Sequence, residues 1–283
     1  MSASVFSTYE TAWCPGCGNF AILDCLKTAL NELGKPPHEV LVAAGIGQAA
    51  KTPQYISANE FCGLHGRSLP AAIAAKIANE KLTVIVDTGD GDSYGEGGNH
   101  FLHNIRRNVD ITHFVHDNQI YGLTKGQASP TTLEGQVTPA QPYGSANTPF
   151  NPVLVALAAG AGFVARAFSG RKEHLVSIMK QAISYEGYAL VDILQPCVSF
   201  NKVNTYAWYN QRVYDLPEDY DPSSKLAAME KAMEFGDRIP LGVLYRQPGQ
   251  TFHRKNPILK DGAPLLDRPV EPRLIEDLMK EFL

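Results

Sequence analysis

Carboxylate and amide side chains follow two strand-like segments of the chain, and together they could bind a divalent cation. Asp90 and Asp92 lie in a Gly-Asp-Gly-Asp sequence after the segment 83–87, and Asn118 follows the segment 111–116. Two carboxylates this close repel each other unless a cation lies between them. Mg²⁺ binds carboxylate, amide and carbonyl oxygens and bridges phosphate groups. The pattern therefore indicates a magnesium–phosphate site.

The cysteines indicate metal or redox chemistry. They are Cys14, Cys17, Cys25, Cys62 and Cys197. An odd number of cysteines in a chain of this size, with no secretory signal at its start, favours reduced thiols over disulfides. A zinc ribbon requires a second CxxC pair, which this sequence lacks. A thioredoxin-type dithiol has the opposite Pro–Gly order and follows a strand. An iron–sulfur cluster needs further thiolates, and Cys197 suits a third ligand because it follows a predicted strand.

Two glycine-rich segments come close to nucleotide-binding motifs without matching them. Tyr94 stands at the third glycine position of a possible GxGxxG sequence that begins at Gly89. The segment 45–52 nearly forms a P-loop, but Ala50 stands where that loop has the glycine before its lysine. The Cβ of Ala50 would crowd a bound phosphate. A P-loop nucleotide hydrolase therefore stays an alternative hypothesis.

Strand and helix patterns alternate along most of the chain and would position these residues. Apolar runs predict strands at 39–44, 83–87, 111–116, 163–168 and 188–194. Helical spacing predicts helices at 20–33, 69–81, 93–107, 152–159 and 172–185. This alternation predicts an α/β fold, a mostly parallel sheet with helices on both faces. Ligands of such sheets bind at the carboxyl ends of the strands, where the acidic loops and Cys197 lie.

The C-terminal part of the sequence has a different character. Residues 201–283 are rich in proline and show little periodicity, apart from a short helical pattern at 272–282. We therefore predict an α/β domain over residues 1–200 and an extended C-terminal arm over 201–283 that packs on a partner or wraps the core.

Composition excludes several classes of protein. Of 283 residues, 44% are hydrophobic and 19% are charged, as in a soluble globular protein. The net charge of −4 argues against nucleic acid as a partner. No run of 18 apolar residues occurs, so we expect no membrane span and a cytoplasmic location.

Several stretches together make the chain resemble the β subunit of the two-subunit 2-oxoacid:ferredoxin oxidoreductases, which are thiamine-diphosphate enzymes. The spacing between the Gly-Asp-Gly segment and Asn118 is similar to the metal-binding motif of thiamine-diphosphate enzymes in general. The matching stretches are WCPGCG (13–18), GIG and KTP (45–53), LHGR (64–67), GDGD (89–92), DNQIYGLTKGQASPT (117–131) and QPCVSFN (195–201).

This resemblance implies three bound groups, which are thiamine diphosphate, Mg²⁺ and a [4Fe–4S] cluster. The implied magnesium ligands are Asp90, Asn118 and the backbone carbonyl of Ile120. The residues expected to contact the thiamine diphosphate are Ile46, Gly47, Gln48, Ala49, His65, Gly89, Gly91, Asp92, Tyr121, Gly122, Leu123 and Thr124.

The cluster ligands depart from the family pattern at one position. Relatives use two cysteines of WCPGC, one in GIGC and one in PCVSFN, but this chain has Gln48 at the third of these positions. Glutamine is a poor iron ligand beside thiolate. Either three protein thiolates hold the cluster, or Cys62 replaces the missing one beside Cys14, Cys17 and Cys197, as we expect. Cys25 is the other candidate, although a place in the core explains it better.

The resemblance also implies the reaction and the partners. A 2-oxoacid and CoA would be converted reversibly to acyl-CoA and CO₂, with electrons passed to ferredoxin. An α subunit would supply most of the CoA site and the carboxylate that activates the cofactor, so we expect an αβ heterodimer or its dimer.

We expect Lys51, Leu123 and Lys125 on the substrate side of the site. A lysine there favours a second carboxylate on the substrate, which predicts 2-oxoglutarate as the preferred acid and succinyl-CoA as the product. Pyruvate or a broad range of 2-oxoacids is the alternative. A non-catalytic electron-transfer subunit is a hypothesis of another class.

Overall fold

A mostly parallel sheet of eight strands forms the centre of the fold. The computed structural model describes residues 5–7, 9–260, 262–269 and 272–282. The order of the strands across the sheet is β2-β1-β3-β4-β6-β5-β8-β7, and β5 and β8 form its antiparallel pair. The strands are β1 (Val40–Ala44), β2 (Asn59–Cys62), β3 (Thr83–Gly89), β4 (Ile111–Asp117), β5 (Phe163–Phe168), β6 (Tyr188–Leu194), β7 (Val213–Asp215) and β8 (Ile239–Arg246).

Helices cover both faces of this sheet and confirm the predicted α/β class. One apolar core contains residues of α1 and α5, and a second contains residues of α2, α3, α4 and α7. Since both faces of the central strands are covered, every residue of β1, β4, β5 and β6 is buried. The helices are α1 (Gly18–Glu32), α2 (Ser68–Ala78), α3 (Gly98–Arg107), α4 (Pro152–Ala159), α5 (Lys172–Ile183), α6 (Tyr206–Asn210), α7 (Lys225–Met233), α8 (Phe252–Lys255) and α9 (Pro272–Lys280).

One predicted helix divides into two parts in the structure. The residues before α3 form a π-helical turn, Gly91–Glu96, and α3 itself begins at Gly98. The turn follows β3 directly, so the acidic loop is the start of a helical segment rather than an open loop. Such π-helical turns are rare and occur often at functional sites.

The region predicted to be an extended arm contributes to the sheet. β8 pairs antiparallel with β5, and β7 pairs with β8, so part of the segment 201–283 extends the sheet beyond residue 200. Pro240 and Gly242, which has φ +139°, interrupt the strand pattern of β8 and explain why the sequence did not predict it. β2 was also missed, because it has only four residues and all are exposed.

A buried ion pair anchors this C-terminal region to the central strands. Arg166 and Asp192 are register partners on β5 and β6, with Nε and Oδ2 4.0 Å apart. The guanidinium of Arg166 also donates to the carbonyl oxygens of Ala232 and Glu234, each at 3.4 Å. The C-terminal end of α7 is therefore tied to the interior of the sheet.

None of the helices in the described ranges is long and apolar enough to cross a membrane.

A buried histidine connects β4 to the π-helical turn. His113 Nε2 lies 3.0 Å from Thr88 Oγ1 and 2.9 Å from Ser93 Oγ, and its Nδ1 lies 2.7 Å from the hydroxyl of Tyr188. Burial disfavours the charged ring and lowers the pKa of His113 from 6.5 to about 3. The imidazole is therefore neutral in the folded protein at neutral pH.

This histidine should make the fold sensitive to acid. Below pH 6.5 the unfolded chain binds a proton that folded His113 does not, so stability falls by about 1.4 kcal/mol per pH unit from this group as pH decreases towards 3. His113→Gln should therefore show a shallower loss of stability between about pH 6 and 4, measured by urea unfolding. Equal slopes for the two proteins would contradict this assignment.

Candidate functional site

The carboxyl ends of β3 and β4 bring the predicted magnesium ligands into one place. β3 and β4 are neighbours in the sheet, and Gly89 is the register partner of His116. Asp90 follows β3 and is buried, and Asn118 follows β4. Both residues line the same cavity, together with Ile120. The expected ligands therefore come together, as adjacent parallel strands require.

Asp90 belongs to a buried group of carboxylates. Thr131 Oγ1 lies 2.7 Å from Asp90 Oδ2 and 2.7 Å from Asp117 Oδ1. A hydroxyl has one proton, so one of these two contacts requires a proton on a carboxyl group. Burial and the charges of Asp192 and Asp90 raise the pKa of Asp117 well above its ordinary value. The hydroxyl of Thr131 thus bridges Asp90 and Asp117 and holds the two carboxyl groups together.

The loop after β4 is held in a defined conformation. Gln119 has φ +59°, and the backbone N–H of Ile120 donates to Asn118 Oδ1 at 3.0 Å. The side chain of Asn201 donates to the carbonyl oxygen of Asn118 at 3.0 Å. Because both ends of this short segment are bonded, the amide of Asn118 and the carbonyl of Ile120 are fixed before any ligand binds.

All of the residues expected to contact thiamine diphosphate line this same cavity, and Glu96 joins them as a residue that the sequence did not indicate. Glu96 Oε1 accepts a hydrogen bond of 3.2 Å from the hydroxyl of Tyr121. The lining residues are Ile46, Gly47, Gln48, Ala49, His65, Gly89, Asp90, Gly91, Asp92, Glu96, Asn118, Ile120, Tyr121, Gly122, Leu123 and Thr124.

Asp92 organises the loops of the cavity. Its Oδ1 accepts from the backbone N–H of Ile46 at 2.9 Å and from that of Gly66 at 2.7 Å. A side chain at Gly45 would collide with this carboxylate, because an added Cβ would lie 2.1 Å from Asp92 Oδ2. Gly45 is therefore required for the close approach of the two loops.

These contacts exclude the P-loop alternative. In a P-loop the backbone N–H groups bind phosphate, but here the N–H of Ile46 already binds the carboxylate of Asp92. The segment after it, Ala49–Tyr55, is a 3₁₀-helix that contains Pro53 rather than an α-helix. This segment therefore lacks the α-helix N-terminus at which a P-loop binds the phosphates of a nucleotide.

The cavity fits a magnesium-bound diphosphate. A Cβ added at Gly47 or Gly89, both of which line the cavity, would meet no atom within 4 Å, so these glycines leave the cavity open. Asp90, Asn118 and Ile120 supply a carboxylate, an amide and a backbone carbonyl, which are oxygen donors of the kind that Mg²⁺ prefers. Burial raises the pKa of Asp90 to about 6, and a bound cation would favour its charged form.

Three of the predicted cluster ligands line a second cavity. Cys14, Cys17 and Cys197 lie there with Gln48, and Cys17 interacts electrostatically with both other thiols. The turn that contains the first two is closed by a 3.0 Å bond from the N–H of Cys17 to the carbonyl of Cys14. Burial raises the pKa of the Cys17 thiol to about 11. Iron would reverse this shift, since metal ligation favours the thiolate.

Within the described ranges, no three His, Cys, Asp or Glu side chains are gathered closely enough to bind one metal ion. Cys14, Cys17 and Cys197 nevertheless line one cavity, as the ligands of a multi-iron cluster would. Each thiolate of a [4Fe–4S] cluster binds a different iron, so the ligands stand further apart than those of a single ion.

The two cavities share part of their lining. Gln48, Asn118 and Gly122 line both of them. The side-chain amide of Gln195 donates to Cys17 Sγ at 3.4 Å, and the amide of Asn118 donates to Gln195 Oε1 at 3.3 Å. A single glutamine thus connects the thiol group to a predicted magnesium ligand.

Cys62 does not lie with the other thiols, which corrects the expectation that it completes the ligand set. It is exposed at the end of the edge strand β2 and does not line the thiol cavity. The electrostatic neighbour of the Cys62 thiol is Glu60, whereas the Cys17 thiol interacts with Cys14 and Cys197. Cys25 is buried in the core among residues of α1 and α5.

The two lysines predicted near the substrate lie outside the cavity lining. Lys51 is half-buried in the 3₁₀-helix, and Lys125 is exposed in a turn that follows the lining residues Leu123 and Thr124. Lys125 has φ +82°, a conformation that is uncommon for any residue with a side chain. Of the residues assigned to the substrate side, Leu123 alone lines the cavity.

Comparison with known proteins agrees with this geometry. The family model for the C-terminal thiamine-pyrophosphate-binding domain of thiamine pyrophosphate enzymes matches residues 38–193. The model for the C-terminal part of the pyruvate ferredoxin oxidoreductase β subunit matches residues 197–261.

Curated relatives and a solved structure match most of the chain. The β subunit of 2-oxoacid:ferredoxin oxidoreductase from Saccharolobus solfataricus is 42% identical over 95% of this chain and 95% of its own length. The 2-oxoglutarate oxidoreductase subunit KorB from Mycobacterium tuberculosis is 44% identical over 69% of this chain and 52% of its own length. A 2-oxoglutarate:ferredoxin oxidoreductase from Magnetococcus marinus, solved with 2-oxoglutarate, coenzyme A and succinyl-CoA bound, superposes with a TM-score of 0.85. It is 40% identical and covers 87% of this chain and 84% of its own.

The chain therefore belongs to the β subunits of the 2-oxoacid:ferredoxin oxidoreductases, in agreement with the resemblance that its motifs indicated.

The loop before α2 provides a test of how the cavity is built. Gly66 has φ +68°, and a Cβ added to it would lie 2.4 Å from the backbone of Glu96 and Gly97. Gly34 has a similar φ of +64° but no atom within 4 Å of an added Cβ. Gly34→Ala should cost about 1–2 kcal/mol of unfolding free energy. Gly66→Ala should cost roughly 1–3 kcal/mol more, because it adds a backbone clash. Equal losses in urea unfolding would show that the clash is absent.

Proposed function

We propose that this chain is the β subunit of a 2-oxoglutarate:ferredoxin oxidoreductase that binds thiamine diphosphate, Mg²⁺ and an iron–sulfur cluster. The observation that carries the proposal is the pair of adjoining cavities. One contains the oxygen donors for a magnesium diphosphate, the other contains three thiols, and Gln48, Asn118 and Gly122 belong to both. A cofactor that releases electrons and a cluster that accepts them would then be neighbours.

The chain's own residues would hold the diphosphate end of the cofactor. Asp90, Asn118 and the carbonyl of Ile120 would bind the magnesium ion, and the open glycines Gly47 and Gly89 would admit the phosphates. Thiamine diphosphate supplies, when bound, a nucleophilic carbon and an electron sink for the decarboxylation of a 2-oxoacid. The β subunit contributes orientation and charge, through the bonded loops around Asn118 and Asp92.

The side chain of Gln195 would act on both groups at once. Its amide N–H points at Cys17 Sγ, where it would stabilise a thiolate, and its carbonyl oxygen accepts from Asn118. A hydrogen bond to a cluster sulfur raises the reduction potential, because it stabilises the more negatively charged state. Gln195 would therefore favour electron transfer onto the cluster while it fixes the amide of Asn118.

The substrate assignment rests on the relatives and on one charged residue. Several relatives carry 2-oxoglutarate in their names, and the Magnetococcus structure contains it. Lys125 is exposed immediately after the lining residues Leu123 and Thr124, so its ammonium can reach the distal carboxylate of a dicarboxylic 2-oxoacid. The match of residues 197–261 to a pyruvate ferredoxin oxidoreductase model favours pyruvate as the second candidate.

The proposed partners follow from the family. The chain would work with an α subunit that completes the cofactor site and binds most of coenzyme A, and it would pass electrons to ferredoxin. The test is anaerobic purification of the chain with its α subunit, followed by analysis of thiamine, iron and sulfide. Reduction of a viologen dye should depend on both CoA and a 2-oxoacid. A purified complex without thiamine diphosphate or without iron would overturn the proposal.

Asp90→Asn tests the magnesium site. Loss of the carboxylate charge should weaken binding of thiamine diphosphate in the presence of Mg²⁺ by at least roughly tenfold, since a hydrogen bond or ligand bond to a charged group contributes about 1.5–3 kcal/mol. Titration calorimetry on the αβ complex measures this effect. The exposed Asp219→Asn is the matched control and should bind normally. Iron content should be unchanged in both variants, because the thiols lie in the other cavity. Undiminished binding by Asp90→Asn would contradict the assignment.

Lys125→Gln tests the choice of substrate. Removal of the ammonium should raise KM for 2-oxoglutarate by roughly tenfold, the effect of losing about 1.4 kcal/mol of charge pairing, with little change in KM for pyruvate. Lys255→Gln, which replaces an exposed lysine of α8, is the control. Equal effects on the two acids, or faster turnover of pyruvate by the unmodified enzyme, would reject the preference for 2-oxoglutarate.

A further inference from the structure

Gln48 lies where the thiol cavity has room for a fourth ligand. It lines that cavity with Cys14, Cys17 and Cys197. A Cβ added at Gly122 would lie 3.7 Å from Cys197 Sγ and 4.0 Å from Gln48 Cγ, so the side chains of Cys197 and Gln48 both approach Gly122. The position that the sequence singled out as unusual is therefore part of the thiol site.

The side chain of Gln48 has no internal hydrogen-bond partner in the part of the chain that the structure describes. Its Oε1 is buried and accepts no bond there. The backbone of Gln48 is fixed, because the indole N–H of Trp13, which precedes Cys14, donates to its carbonyl oxygen at 2.8 Å. A buried amide oxygen without a donor is unfavourable unless a ligand satisfies it. The backbone of Gln48 is therefore held in place, and its side-chain amide oxygen is available to a ligand bound in the cavity.

The described residues offer no other thiol at this position. Cys25 is in the core, where its Sγ contacts the carbonyl oxygen of Lys172 at 3.6 Å. Cys62 is exposed at the end of the edge strand β2 and does not line the cavity. The sequence has five cysteines, and three of them line the cavity. The chain can therefore supply three thiolates to a group bound there.

We propose that three thiolates, from Cys14, Cys17 and Cys197, hold the cluster of this chain, and that its fourth iron faces Gln48 and has no protein thiolate. This inference rests on the proposed iron–sulfur function and adds the ligand set. A neutral amide or water binds ferrous iron less tightly than a thiolate does. The fourth iron is therefore exchangeable, and it can bind a small added ligand such as an external thiol.

The exchangeable iron gives a defined oxidation reaction. An added one-electron oxidant, ferricyanide, takes one electron from the cluster, and one ferrous ion leaves: [4Fe–4S]²⁺ becomes [3Fe–4S]⁺ plus Fe²⁺ plus the electron that reduces ferricyanide to ferrocyanide. The three iron atoms that stay are those bound by Cys14, Cys17 and Cys197. The missing thiolate also removes one negative charge from the site, which raises the reduction potential of the cluster.

The test compares the unmodified αβ complex with the Gln48→Cys variant, both purified without oxygen. After one equivalent of ferricyanide, the unmodified complex should release about one iron of four and show the paramagnetic resonance signal of a three-iron cluster. Gln48→Cys should retain its iron, show no such signal and have a lower cluster reduction potential. Cys62→Ser is the control and should behave like the unmodified complex. Gln48→Ser introduces no thiolate, so its fourth iron should still be released by ferricyanide. This second variant keeps the test decisive if the Gln48→Cys protein does not fold.

The outcomes separate this inference from the proposed function. A complex that contains no iron overturns both. The unmodified complex could instead contain about four irons and keep all of them after ferricyanide, as the Gln48→Cys variant is expected to do. That result would show a fourth strong ligand. It would overturn the inference but not the proposed function. Loss of iron in Cys62→Ser would identify that ligand as Cys62 and would likewise overturn it.

Discussion

Three carboxyl groups are buried next to one another beneath the carboxyl end of the sheet, and their mutual repulsion is the constraint on which the site depends. Asp90, Asp117 and Asp192 all have pKa values above the ordinary range, because burial disfavours their charged forms. Arg166 and the hydroxyl of Tyr94 stabilise Asp192, and the hydroxyl of Thr131 bridges Asp90 and Asp117. A cation bound at Asp90, as proposed above, would offset the repulsion that is left.

The same constraint explains why the C-terminal region cannot be separated from the site. Arg166 is needed beside Asp192, and it is itself held by carbonyl oxygens at the C-terminal end of α7. Residues far beyond 200 in the sequence therefore support the charge balance beneath Asp90. The family models divide the chain between 193 and 197, yet β8 pairs with β5 and the hydrogen bonds of the sheet cross that division.

Much of the fold and of the lining of the cavity at the ends of β3 and β4 could be predicted from the sequence, because apolar strands, glycine-rich ends and the Asn118 spacing are local patterns. The missed elements lack local patterns. β2 is exposed along its whole length, and β8 is interrupted by Pro240 and Gly242. The contacts of Asp92, Thr131 and Gln195 join segments that are distant in sequence, so spacing could not reveal them. The place of Cys62 could not be predicted for the same reason, since only the folded structure shows that it lies outside the cavity that the other three thiols line.

The bond between Gln195 and Cys17 joins residues that are 178 positions apart. The thiol cavity is therefore formed by the beginning of the chain and by the segment after β6, with strands β1 to β6 synthesised between them. A nascent chain on the ribosome has the CxxC turn long before it has Cys197. If the proposed cluster binds there, its three-thiol site would be complete only after translation has passed Cys197, which would make cluster insertion a late step in the maturation of this subunit.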